Sequence, residues 1–133
     1  MERRDLQTLS KIRLVEAKAL LRLGHNDGAY YLAGYAVECA LKACIAKGTK
    51  KHEFPDRKRV NDSYTHVLKD LVKLANLEDL HLGRLRTDKS FRDNWEVVQI
   101  WSEQSRYRRS EPEDAQALLK AASGVMSWIK LHW

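Results

Sequence analysis

The side chains able to bind an anion or move a proton fall into a few short stretches of the 133 residues. Glu38 and Lys42 stand four apart, in the acid-before-base order that favours an intrahelical ion pair. Glu38 also lies between Val37 and the Ala40–Leu41 pair, so its carboxylate is expected near the apolar face of that helix. A charge placed there needs a cationic partner, which Lys42 or Arg106 can supply. His66, in Thr65-His66-Val67-Leu68, reads as a first-turn residue of a helix. It can cap or pack there, or line a cleft with Arg106 in which two donors grip a phosphate. Arg106-Tyr107-Arg108-Arg109 closes the set.

Positive charge follows the same pattern. Lys and Arg number 24 against 18 Asp and Glu, a formal charge of +6. It is concentrated at residues 47–59 (net +4), 84–92 (net +3) and 106–109 (net +3). Such an excess leans toward nucleic acid or nucleotide, although most charge runs are only solvated faces. The two cysteines, Cys39 and Cys44, are five apart on one helix and face different ways, so neither a disulfide nor a zinc site is expected. No P-loop, GxGxxG, HExxH or GxSxG is present, and no cofactor or metal is expected. The charged first residues and the lack of a long apolar run predict a cytoplasmic protein with no membrane association.

These residues must be positioned by helices. Six glycines and two prolines are too few for a turn-rich β architecture. Apolar spacing predicts helices over 5–23, 28–47, 65–76, 89–106 and 112–131, with Gly24 to Gly28 as the first turn and Ser110 capping the last helix. Residues 76–86 read as a turn with one further helical piece, and 48–63 as a polar basic loop. The expectation is a single all-α domain over 1–133, an antiparallel up-and-down four-helix bundle with an extra short helix. Ala29, Ala33, Ala36 and Ala40 form a ridge of small residues. Together with Trp95, Trp101 and Trp133 it suggests a homodimer built on the second and fourth helices.

The run Ala33-Gly34-Tyr35-Ala36-Val37-Glu38-Cys39-Ala40-Leu41-Lys42-Ala43 resembles the signature helix of HEPN domains. Thr65-His66-Val67-Leu68 resembles that family's Thr-His-x-Leu, and Arg106-Tyr107 its Arg-Tyr, with Arg108 where the family usually has proline. The resemblance implies a dimeric helical bundle that acts as the toxin-like or nucleotide- or RNA-binding half of a module with a nucleotidyltransferase-type partner. Its nucleotide- or RNA-binding residues would be Glu38, Lys42, His66, Arg106, Tyr107 and Arg108. Two other classes stay open: a non-catalytic dimeric interaction module, and a metal-independent endoribonuclease. Ribonucleases of the family use Arg-x(4–6)-His, and the match here is Arg59-x6-His66. Twelve Arg and five His give about one such match by chance, and this one lies away from the motif's usual place. Arg59 and His66 are therefore weak candidates for a catalytic pair.

Overall fold

The computed structural model describes residues 2–48 and 64–133. These form six α-helices: α1 (Arg3–Arg22), α2 (Asn26–Lys47), α3 (Leu68–Leu74), α4 (Glu78–Thr87), α5 (Lys89–Val98) and α6 (Pro112–Ile129). A 3-10 helix at Glu103–Tyr107 lies between α5 and α6, and there is no strand among the described residues. The all-α class is as expected. Most of the expected basic loop, Arg59 included, lies outside the described residues.

α2 is the axis. Twelve of its residues are buried, Ala33, Ala36, Val37, Glu38, Ala40 and Leu41 among them, because other elements pack around it. Gly24, in the left-handed region at φ 81°, ends α1. Its N–H bonds to the Leu21 carbonyl and that of His25 to the Leu20 carbonyl, the paired closure that glycine favours. The short turn makes α1 and α2 antiparallel: Leu20 meets Gly28, and the Ser10 hydroxyl donates to the Ala36 carbonyl at 2.7 Å. α6 runs parallel to α2, with Ser110 beside Asp27 at one end and Cys44 beside Ile129 at the other. α5 runs antiparallel to α6, where Asn94 meets Gly124 and Phe91 meets Trp128. The four main helices thus alternate in direction, as an up-and-down bundle requires.

Several local expectations change. The fourth helix stops at Val98 instead of continuing to residue 106. A longer helix would have kept Trp101 on the Phe91–Trp95–Val98 face. Instead the chain leaves the helix and seats the indole over Gly34, where Trp101 is 3% exposed. Burying a whole indole outweighs two more turns of helix. Residues 78–87 form a ten-residue helix that is poorly legible because its leucines do not share one face: Leu80 and Leu82 are exposed while His81 is buried. Acids in its first turn and arginines in its last complement the helix dipole. α6 is capped at Glu111 with Pro112 in its first turn; Ser110 instead donates its backbone N–H to Asp27 at 2.6 Å. The small-residue ridge on α2 is completely buried inside the chain, as are Trp95 and Trp101, so these residues supply no exposed dimer surface. Trp133 also packs within the chain, with Lys11 and Lys130 near its ring.

Candidate functional site

Three elements bring charged side chains together on one side of α2. Glu38, on the buried stretch of that helix, is 1% exposed yet carries a carboxylate. Burial of such a group is tolerable only with partners on both oxygens. Lys42 Nζ, one turn along, lies 3.3 Å from Oε2, and His66 Nδ1 lies 2.9 Å from Oε1.

His66 reaches Glu38 because the helix begins later than its sequence suggests. The Thr65 hydroxyl accepts the Val67 N–H at 3.2 Å, Val67 is the N-cap, and α3 opens at Leu68. His66 therefore precedes the helix, where its ring turns toward α2 rather than capping α3. Its second nitrogen, Nε2, lies 3.4 Å from Glu103 Oε2, and Glu103 Oε1 lies 3.2 Å from an Arg106 Nη. Lys42, Glu38, His66, Glu103 and Arg106 thus form an unbroken chain of alternating partners. It passes through a buried carboxylate and ends on a guanidinium that is 44% exposed.

The 3-10 helix delivers the outer half of this chain, and Trp101 fixes the 3-10 helix. Gly34 has no Cβ, so the indole of Trp101 rests directly on the α2 backbone. Tyr31 stacks on Trp101 with centroids 6.1 Å apart, and Tyr35 on Tyr31 at 5.9 Å. This aromatic ladder ends beside Glu38. Burial, with Cys39 and Glu38 nearby, pushes the Tyr35 hydroxyl up to about 12. A cleft of about 280 Å³ adjoins the ladder's end, lined by Tyr35, Glu38, Cys39, Lys42 and Tyr64 among others. Burial, reinforced by Glu38, raises the Cys39 thiol to about 11 and leaves it protonated at neutral pH.

Of the residues singled out from sequence, Glu38, Lys42, His66 and Arg106 converge. Tyr107 joins them only at the edge, highly exposed and with the Arg106 guanidinium 4.9 Å above its ring. Arg108 does not join them. It lines a separate cleft with Tyr30, Arg109 and Asp114, below the start of α6. Glu103 was missed, since nothing in its spacing marks it; only the Trp101 anchor carries it to His66. Of the three basic runs, most of 47–59 lies outside the described residues. Lys47 and Arg84 both lie near His132, whose ring is held below its ordinary value by burial and then by those two cations.

Chemically, the arrangement holds an imidazole in one orientation through a buried carboxylate and leaves its other nitrogen facing an exposed guanidinium across a displaceable acid. With the imidazole protonated that pair can donate to the oxygens of an anion, and the imidazole can pass a proton. Among the described residues no group of three His, Cys, Asp or Glu is disposed to hold a metal, and no helix is long and apolar enough to cross a membrane.

The family model of the HEPN domain matches residues 5–132, nearly the whole chain. No curated protein and no solved structure matches it. The chain belongs to the HEPN domain family.

Proposed function

Taking membership of that family as the premise, which supports a nucleotide- or RNA-related or toxin-like role, we propose that this protein is the toxin-like, phosphate-engaging half of a HEPN–nucleotidyltransferase module. In this reading it works as a homodimer, and a phosphate of a nucleotide or RNA binds between His66 and Arg106. The observation that carries the reading is the 2.9 Å contact of His66 with a carboxylate only 1% exposed. Glu38 is held in place by its enclosure in α2 and by Lys42 on one oxygen. Holding a half-exposed imidazole with the other oxygen orients a ring that faces solvent. Arg106, exposed and close by through Glu103, supplies the fixed positive charge.

A metal-independent ribonuclease reading is favoured by the same contact. A carboxylate-oriented imidazole is the usual means of keeping one ring nitrogen ready for proton transfer. The pair would then be His66 with Arg59, which lies outside the described residues, or with Arg106, which is near it through Glu103.

The test is RNA binding and RNA cleavage by metal-free protein, beside His66→Ala and Arg106→Ala. Binding that is weakened by both variants supports the phosphate site, and cleavage abolished by His66→Ala supports the ribonuclease reading. Binding that neither variant affects refutes the site. Co-purification with a nucleotidyltransferase encoded beside it tests the partner.

A further inference from the structure

Among the described residues, the charges in direct contact around His66 do not amount to a trough for a nucleic-acid backbone. Lys42 and Arg106 balance Glu38 and Glu103, so the cluster is neutral when His66 is neutral and gains one positive charge when it is protonated. Backbone binding draws on net positive surface that releases condensed counterions, and a cluster with at most one net positive charge offers little of it. An internal phosphodiester brings a single negative charge. A terminal phosphate brings about 1.5 to 2 negative charges at neutral pH and three strong acceptor oxygens.

The place such a phosphate would take is already held by a carboxylate. Glu103 puts one oxygen 3.4 Å from His66 Nε2 and the other 3.2 Å from an Arg106 Nη, and when the imidazole carries both protons the carboxylate bridges two donors as an anion would. The two acids in the cluster differ in how firmly they are held. Glu38 is enclosed by α2 and tied to Lys42 and His66, so it stays. Glu103 opens a five-residue 3-10 helix and is 27% exposed, so rotating its side chain toward water leaves no buried charge behind.

Resting on the phosphate site proposed above, the geometry points to Glu103 as the residue that sets which phosphate enters. A terminal phosphomonoester, of a mononucleotide or of an RNA end, displaces the Glu103 carboxylate from between His66 and Arg106; an internal phosphodiester does not. Exchanging one monoanion for another gains no charge at the donors, whereas a dianion strengthens both charge-assisted contacts. The remaining Glu103 charge, turned outward but still close, further disfavours a weakly charged ligand. Glu103 is thus a specificity-determining residue rather than a catalytic one. The discrimination it gives rests on repulsion as much as on attraction.

The experiment measures binding of 5′-phosphorylated and 5′-hydroxyl forms of one short single-stranded RNA, with a nucleoside monophosphate and inorganic phosphate as separate arms. The parent protein is expected to favour the phosphorylated RNA by about tenfold. Glu103→Gln, which keeps the shape and removes the charge, is expected to shrink that ratio to about threefold or less by tightening the hydroxyl-ended form. Arg106→Ala should weaken the phosphorylated form. Tight binding of the monophosphate with weak binding of both RNAs would assign the site to mononucleotides. A parent ratio near one, or a ratio unchanged in Glu103→Gln, overturns the role of Glu103. If both RNAs bind equally and Arg106→Ala weakens both, the phosphate site stands and only this inference falls. If no ligand binds at all, both fall together.

Discussion

Adding a single methyl group at Gly34 tests how the site is held. Taken alone, Gly34→Ala in the interior of a 22-residue helix should stabilise the protein by about 0.8–1.0 kcal/mol, the difference in helix propensity. The structure predicts the opposite sign. A Cβ built on Gly34 lies closer than 3.0 Å to three atoms of the Trp101 indole, and a rigid ring pinned by Tyr31 cannot fold away as a flexible chain end could. Overpacking of this kind costs about 1–3 kcal/mol, and full expulsion of the indole approaches the ~3–5 kcal/mol of a tryptophan truncation. Setting the propensity gain against these gives a net loss of about 2 kcal/mol, or roughly 5–10 °C in Tm for a domain of this size. Urea unfolding followed by circular dichroism measures it. The decisive comparison is the Trp101→Ala background, where the clash is gone and Gly34→Ala should stabilise by about 1 kcal/mol. An equal effect of Gly34→Ala in both backgrounds would refute the claim that this contact positions the 3-10 helix. Because Glu103 and Arg106 follow Trp101 on the same segment, Gly34→Ala should also reduce binding of phosphate-ended RNA without touching any residue of the site.

Three further outcomes follow from the same packing. His81, buried against Trp95 and Phe91, is held below its ordinary value by burial, so the unfolded chain takes up a proton that the folded chain refuses. Stability should therefore fall as pH drops below about 6.5, and His81→Phe should flatten that part of the urea-midpoint profile; a profile identical in the variant would refute it. The Cys39 and Cys44 thiols, both raised to about 11 chiefly by burial, should resist iodoacetamide at pH ~8 in native protein and react readily in urea, as mass spectrometry can score. Asn76, at φ 59°, closes α3 with its N–H bonded to the Lys73 carbonyl. Asn76→Gly should be neutral or mildly stabilising and Asn76→Ala destabilising by about 1 kcal/mol in thermal unfolding.

The sequence alone determined the helical class, the two long helices at the start and the one at the end. Their apolar residues recur at helical spacing over four turns or more, and Gly24 and Pro112 punctuate them. It also singled out Glu38 and Lys42, a carboxylate inside an apolar run with a cation one turn on, and, through the resemblance of Thr65-His66-Val67-Leu68 and Arg106-Tyr107 to the family's motifs, His66 and Arg106. The sequence could not place the boundary at Val98 or the helix at Glu78–Thr87. In the first case a long-range contact, Trp101 on Gly34, overrode local helical periodicity; in the second the burial of His81 ran against the leucines around it. The small residues of α2 looked like a surface for a second chain. They are instead consumed by the close approach of this chain's own helices and indole, a choice that spacing cannot distinguish. Glu103 and the separation of Arg108 from Arg106 belong wholly to tertiary structure. Both depend on which way a short 3-10 helix faces, and that is fixed by a ring packed on a backbone some seventy residues earlier in the chain, a distance over which local sequence patterns carry no information.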